Sequence, residues 1–183
     1  MLSGLRKPAR HAVFISGGGS TLQALLEMQH QINICLVMTN KKDARGSLKA
    51  KRFGKTVLHF NKEMSYEKLT QCLKLHNIDC IILAGFMKIL PESFVKEWNN
   101  KIINIHPSLL PLYPGLHSAE KCWQDNFDMG VTIHHVITEM DAGKIILQQK
   151  SLTNPKSLAF DEAQLFIRRT EQFLLREIAV RGF

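Results

Sequence analysis

The residues best suited to chemistry in this chain are Asn104 and His106, within the segment I-I-N-I-H-P-S-L-L-P-L-Y-P-G-L that spans residues 102–116. The segment opens as a strand. Ile102, Ile103 and Ile105 are β-branched and apolar, and Pro107, with no N–H to give, ends the ladder. Strand side chains alternate faces, so Asn104 and His106, two positions apart, point the same way. A carboxamide that can donate to a developing oxyanion, beside an imidazole that can carry a proton, is equipment for acyl transfer on a small scale. Alone, N-x-H is more often a turn asparagine and a capping histidine, and only its surroundings can raise it above that reading.

Those surroundings alternate. Residues 11–16, 32–39, 56–60 and 78–84 are short apolar runs that read as buried strands. Helical patterns fall between them at 21–29, 45–53 and 66–76, and another helix starts at Pro91. Strand–helix alternation of this kind predicts an α/β fold with a Rossmann-like, doubly wound, mostly parallel sheet. In such sheets ligands gather at the C-terminal ends of the strands. Three stretches meet that description: the glycine-rich turn at 17–21, residues 85–90, and Asn104 with His106. They should line one cleft.

The turn G-G-G-S-T sits between a strand and a helix, where backbone N–H groups can hold an anion. Gly17, Gly18 and Gly19 allow close approach of the backbone, and Ser20 and Thr21 can cap the helix or donate hydroxyls. The dinucleotide fingerprint fails because Leu22 occupies the third glycine position, and the P-loop lysine is missing. A single phosphomonoester is the better ligand for this turn. Beyond residue 116 the pattern changes. A helix over 118–124 precedes strands at 130–138 and 144–150, joined as a hairpin through residues 139–143, and a final helix covers 157–180. His134 and His135 are adjacent in the first of these strands, so they face opposite sides and only one can line the cleft. Their spacing does not suit a zinc pair.

At 183 residues the chain is expected to form a single domain, with residues 1–10 as an N-terminal tail. No run of about 18 apolar residues predicts a membrane span, and the N-terminus has no apolar core of a secretory signal. The four cysteines form no C-x-x-C pair, and Cys35 and Cys80 lie within apolar strands, which suits reduced thiols and a cytoplasmic setting. The 24 basic residues against 16 acidic ones give a charge of +8. They are scattered rather than striped among aromatics, which argues against nucleic acid as the main partner and suits phosphate-bearing small substrates.

Together these segments resemble the phosphoribosylglycinamide formyltransferase family, folate-dependent enzymes of purine synthesis. The resemblance rests on I-S-G-G-G-S-T-L-Q-A, L-A-G-F-M-K-I-L, N-I-H-P-S-L-L-P-L-Y-P-G-L-H and G-V-T-I-H-H-V-x-x-E-M-D-A-G-x-I-I-L-Q, in that order over about residues 12–150. It implies transfer of a formyl group from 10-formyltetrahydrofolate to the amine of 5′-phosphoribosylglycinamide, with no metal, no membrane partner and a homodimer. By the same resemblance Asn104, His106 and Asp141 are catalytic, Gly19, Ser20 and Thr21 hold the phosphate, and Glu171 touches the ribosyl glycinamide; Gly17 and Gly18 join the phosphate site by the reading of the turn given above. Met87, Lys88, Ile89, Leu90, Asn104 and His134 are expected to hold the folate. His117 and Ser118 are expected near the amine or phosphate. Thr21 and Gly18 stand where the family usually has asparagines, and Lys88 where it has arginine. The same chemistry leaves other readings open: an amino sugar nucleotide as acceptor, hydrolysis of the formyl folate, or a non-catalytic folate-binding homologue.

Overall fold

A computed structural model describes residues 8–181. The strands are β1 (Arg10–Ile15), β2 (Asn33–Thr39), β3 (Thr56–His59), β4 (Cys80–Leu83), β5 (Ile102–His106), β6 (Met129–His135) and β7 (Ile145–Leu152). They form one seven-stranded sheet in the order β3-β2-β1-β4-β5-β6-β7. The first five run parallel, while β6 and β7 are antiparallel to their neighbours. This is the expected doubly wound sheet with a C-terminal hairpin. The helices are α1 (Ser20–Glu27), α2 (Arg45–Arg52), α3 (Tyr66–Leu75), α4 (Glu92–Glu97), α5 (Ser118–Gln124) and α6 (Phe160–Arg181).

A parallel sheet covered on both faces needs strands that are apolar at every position. β1 meets that need: Ala12, Val13, Phe14 and Ile15 are all fully buried. Their alternation divides the core into two layers. Val13 and Ile15 pack with Leu22 and Leu25 of α1, Cys122 of α5 and Leu174 of α6. Ala12 and Phe14 pack with Leu69 and Leu73 of α3 and with Phe94 and Trp98 at α4. The chain runs from β1 outward to β3, then crosses back to place β4 on the other side of β1. The turns after β1 and β4 therefore separate at the topological switch point, where such sheets open a crevice.

The boundaries differ from expectation in instructive places. Arg10 is part of β1 rather than a tail, because its N–H bonds the Asp79 carboxylate at 2.8 Å and its Nε bonds the His76 carbonyl at 3.0 Å. Of the rest of the expected tail, residues 1–7 lie outside the described residues, and Pro8 and Ala9 precede the strand. Pro91 is the N-cap of α4 and not its first turn. β6 stops at His135, where a nine-residue connection, 136–144, leaves for the site and returns as β7. A short 3₁₀ turn, Pro155–Ser157, precedes α6 and delays its start to Phe160. Among the described residues no helix is long and apolar enough to cross a membrane.

Candidate active site

β5 carries Asn104 and His106 to the sheet edge, and β6 runs beside it with His134 opposite Asn104 and Thr132 opposite His106. The β6–β7 connection adds Asp141, which holds a left-handed φ of 53°. Gly143 lets this loop close, since a Cβ there would overlap the His135 carbonyl. The Asp141 carboxylate is the hub of the cluster. Its Oδ2 accepts the Gly115 N–H at 2.7 Å and lies 3.4 Å from His106 Nδ1. Its Oδ1 lies 3.4 Å from Asn104 Nδ2 and 3.6 Å from His134 Nε2.

The partners assign the protons. His106 Nε2 lies 2.9 Å from the Tyr113 carbonyl, which can only accept, so that nitrogen carries a hydrogen and Nδ1 faces Asp141. His134 Nδ1 likewise donates to the His135 carbonyl at 2.9 Å, leaving Nε2 free to accept from the Asn104 amide at 3.3 Å. Burial pushes the His134 pKa below the usual histidine value, outweighing the His135 carbonyl and the Asp141 charge. His134 is thus a neutral acceptor, and its approach to Asp141 is not an ion pair. His135 faces away from the cluster, as strand alternation requires, and its N–H pairs with the Lys144 carbonyl.

A polar clamp fixes the turn that follows His106. Thr132 Oγ1 donates to the Ser108 carbonyl at 2.7 Å and accepts from the Leu110 N–H at 3.1 Å and Gln148 Nε2 at 2.9 Å. Gln148 also donates to the Leu110 carbonyl at 2.8 Å, and Ser108 Oγ donates to the Leu112 carbonyl at 2.7 Å. Ser108 and Thr132 are fully buried. Their bonds hold the segment that aims the Tyr113 carbonyl at His106 and the Gly115 N–H at Asp141.

The glycine-rich turn lies at the neighbouring switch point. Gly19 is the N-cap of α1 with φ of 65°, and a Cβ there would stand 2.7 Å from Gly46 Cα, so only glycine fits. Neither Ser20 nor Thr21 caps the helix, contrary to expectation: Ser20 is its first residue and there is no side-chain cap. The Thr21 hydroxyl instead donates to Glu171 Oε2 at 3.2 Å, which joins the turn to α6. Burial pushes the Glu171 carboxyl up to about 7, against the opposing pull of Thr21 and Arg168. Lys49 of α2 reaches over to donate to the Gly19 carbonyl at 3.2 Å. Gly17 and Gly18 face open space.

The stretch after β4 is held more lightly. Met87 and Ile89 are 65% and 77% exposed, while Leu90 packs partly on the α3–α4 side of the core. The Lys88 ammonium sits 4.6 Å from the centre of the Phe60 ring and 5.4 Å from that of Tyr66, so its charge is directed onto aromatic faces. His117 is an exposed N-cap of α5 that pairs with Glu120 at 3.4 Å. Ser118 is buried and gives its proton to the Gly115 carbonyl at 2.6 Å, so it is a turn-forming residue and not an open contact for substrate. Among the described residues no group of three or more His, Cys, Asp or Glu side chains is placed to hold a metal. Sequence reasoning missed Ser16, the Tyr113 carbonyl and Gln148. Ser16 acts through a hydroxyl that bonds Asn40 Oδ1 and the Met87 N–H, and Tyr113 through its backbone, neither of which has a motif, while Gln148 appears only once its alternation on β7 is matched to Thr132 on β6.

A profile of formyl transferases matches residues 9–170. The chain belongs to the formyl transferase family. It is 36% identical to the phosphoribosylglycinamide formyltransferase of Haemophilus influenzae over 87% of this chain and 80% of that protein. It is 39% identical over 79% of its length to the human trifunctional purine biosynthetic protein adenosine-3, but that stretch spans only 15% of the human protein. The crystal structure of phosphoribosylglycinamide formyltransferase from Anaplasma phagocytophilum superposes with a TM-score of 0.86 at 37% identity, covering 91% of this chain and 83% of that one. In this member of the formyl transferase family, the Asn104–His106–Asp141 cluster and the Gly-rich turn thus stand on the same edge of one sheet.

Proposed function

We propose that the protein transfers a formyl group from 10-formyltetrahydrofolate to the amine of 5′-phosphoribosylglycinamide, a step in building the purine nucleotide IMP. The observation that carries this reading is the convergence of Asn104 and His106 on the Asp141 carboxylate, 3.4 Å from each, with the other His106 nitrogen held by the Tyr113 carbonyl. The folate supplies the formyl carbon; the chain's own residues handle charge and protons. Asn104 Nδ2 makes only long bonds, at 3.3 and 3.4 Å, so it can turn a hydrogen toward the oxygen that gains negative charge as the amine attacks. His106 keeps its Nε2 hydrogen on Tyr113, so Nδ1 is the nitrogen that can receive, by way of Asp141, the proton released by the amine and pass it toward the departing folate nitrogen. Asp141 orients His106 through Oδ2 and takes the proton released by the amine, directly or through water. No covalent enzyme adduct and no metal enter this scheme.

The turn at residues 17–21 suits the substrate phosphate, with Glu171 and Thr21 beside it for the ribosyl hydroxyls. The exposed Met87 and Ile89 side chains and the backbone of 88–90 suit the folate heterocycle, with neutral His134 next to Asn104. A cytoplasmic setting and a homodimer belong to the same reading, the former in keeping with four free cysteines. The test is a formyl-transfer assay on purified protein, with and without phosphoribosylglycinamide. We expect folate product only when the glycinamide is present, and none from His106→Ala. Product without acceptor would instead mean hydrolysis, and folate binding without product would mean a different acceptor or a binding protein.

A further inference from the structure

Three strand ends meet at one hydroxyl that the scheme above does not use. Ser16 follows β1 and immediately precedes Gly17. Its Oγ donates to Asn40 Oδ1, just past β2, at 2.7 Å. The same oxygen accepts the Met87 N–H, past β4, at 2.8 Å. The Ser16 N–H donates to the Gly85 carbonyl at 3.1 Å, so backbone and side chain bind the same turn from two points. The next carbonyl along, that of Gly17, accepts the Gly46 N–H at 3.1 Å. One side chain thus joins the Gly-rich turn to the stretch that carries Met87 and Ile89.

We propose that Ser16 is a positioning residue that couples the two substrate subsites, so that occupancy of the 17–21 turn orders residues 85–90, and the reverse. This rests on the function proposed above, which assigns the phosphate to one stretch and the folate to the other. The physical case is geometric. A hydroxyl has one hydrogen and two lone pairs, and here the hydrogen is committed to Asn40 and a lone pair to Met87. Any shift of Ser16 as the adjacent glycines close on an anion must strengthen or weaken the Met87 bond. Met87 and Ile89 are otherwise solvent-facing, and beyond the two Ser16 bonds the turn is held by the Tyr66 hydroxyl, which donates to the Ile89 carbonyl at a long 3.4 Å, so the Ser16 bonds carry much of its placement. Coupling between two sites is reciprocal, and such couplings are typically about 5- to 150-fold in affinity.

The experiment compares wild type with Ser16→Ala, Ser16→Cys and Ser16→Thr. Cysteine keeps the volume with a weak hydrogen-bonding group, and threonine keeps the hydroxyl. Two readouts are taken: KM for each substrate at low and saturating levels of the other, and hydrogen exchange at the Met87 amide with and without inorganic phosphate. In wild type and Ser16→Thr we expect each substrate to lower the KM of the other at least about fivefold, and phosphate to slow Met87 exchange. In Ser16→Ala and Ser16→Cys both couplings should vanish, with kcat at saturation much less affected than either KM. If phosphate slows Met87 exchange equally without the hydroxyl, or leaves it unchanged in wild type, the proposal is overturned; Ser16→Cys decides the matter where Ser16→Ala fails to fold. Wild-type protein that makes no formyl product, yet still passes phosphate occupancy to Met87 through Ser16, would sink the proposed function and leave the coupling standing.

Discussion

The Asn104–His106–Asp141 cluster and the Gly-rich turn sit on one sheet edge but are built on opposite plans. Around Asn104 every partner is a defined atom: Asp141 touches four groups, His134 is a neutral acceptor, and a clamp of buried Ser108 and Thr132 with Gln148 fixes the turn behind His106. Around Gly17 and Gly18 there is open space, with no side-chain cap on α1. Stabilising a charge that exists only in transit calls for donors placed in advance, because reorganising them during the reaction would forfeit the gain. Holding a permanent anion calls for accessible N–H groups that the ligand itself can order. Under the proposed function, the contrast separates a cluster placed to serve rate from a turn placed to serve binding.

Substitutions can break that contrast at either end. The largest effect should come from Asp141→Asn, which keeps the shape but removes the charge facing His106. We expect kcat to fall by about 10²–10⁴, with little change in thermal midpoint. Near-normal turnover would remove Asp141 from the mechanism. Next comes Gly19→Ala, which forces a Cβ toward Gly46 Cα at a left-handed φ. Here KM for the phosphorylated substrate should rise by about tenfold, equivalent to ~1.4 kcal/mol, while kcat holds within a few-fold. A fall in kcat with KM unmoved would show that the turn serves the chemistry and not the anion.

The smallest effect sharpens the comparison through pH. Burial holds the Glu171 carboxyl near 7, above its ordinary 4.5, so its charged form is the costly one. What this group contributes to stability is complete below about pH 4.5 and is lost as pH rises through about 7. Glu171→Gln abolishes that loss. Its thermal midpoint relative to wild type should therefore be higher at pH 8 than at pH 5, by about 2–4 °C for each kcal/mol involved. Identical midpoint differences at both pH values would mean that Glu171 titrates as an exposed acid. Occupancy of the turn by phosphate should enlarge the pH dependence, because the added negative charge opposes ionisation of a neighbouring carboxyl.

Much of this architecture was legible in the residues. Apolar runs such as A-V-F-I and I-I-N-I-H declare buried strands, and their alternation with helical periods leaves few topologies besides a doubly wound sheet. The same alternation put Asn104 and His106 on one face and separated His134 from His135. The ends of elements were less legible, because they depend on where hydrogen bonds from other segments fall. Arg10 joins β1 through Asp79 and His76, which are far away in sequence. Thr21, readable as a cap, turns to Glu171 across the fold because a left-handed Gly19 already supplies the cap position.

By itself, then, the sequence determined which side chains have the chemistry that acyl transfer needs, which strand carries Asn104 and His106, and which glycines can let an anion approach. These follow from local rules of period two, of chain punctuation and of side-chain chemistry. The tertiary structure decided which nitrogen of His106 faces Asp141, that His134 accepts rather than donates, and that one serine hydroxyl joins three strand ends. Those outcomes rest on backbone carbonyls and N–H groups, which every residue carries alike, and only the folded chain selects among them.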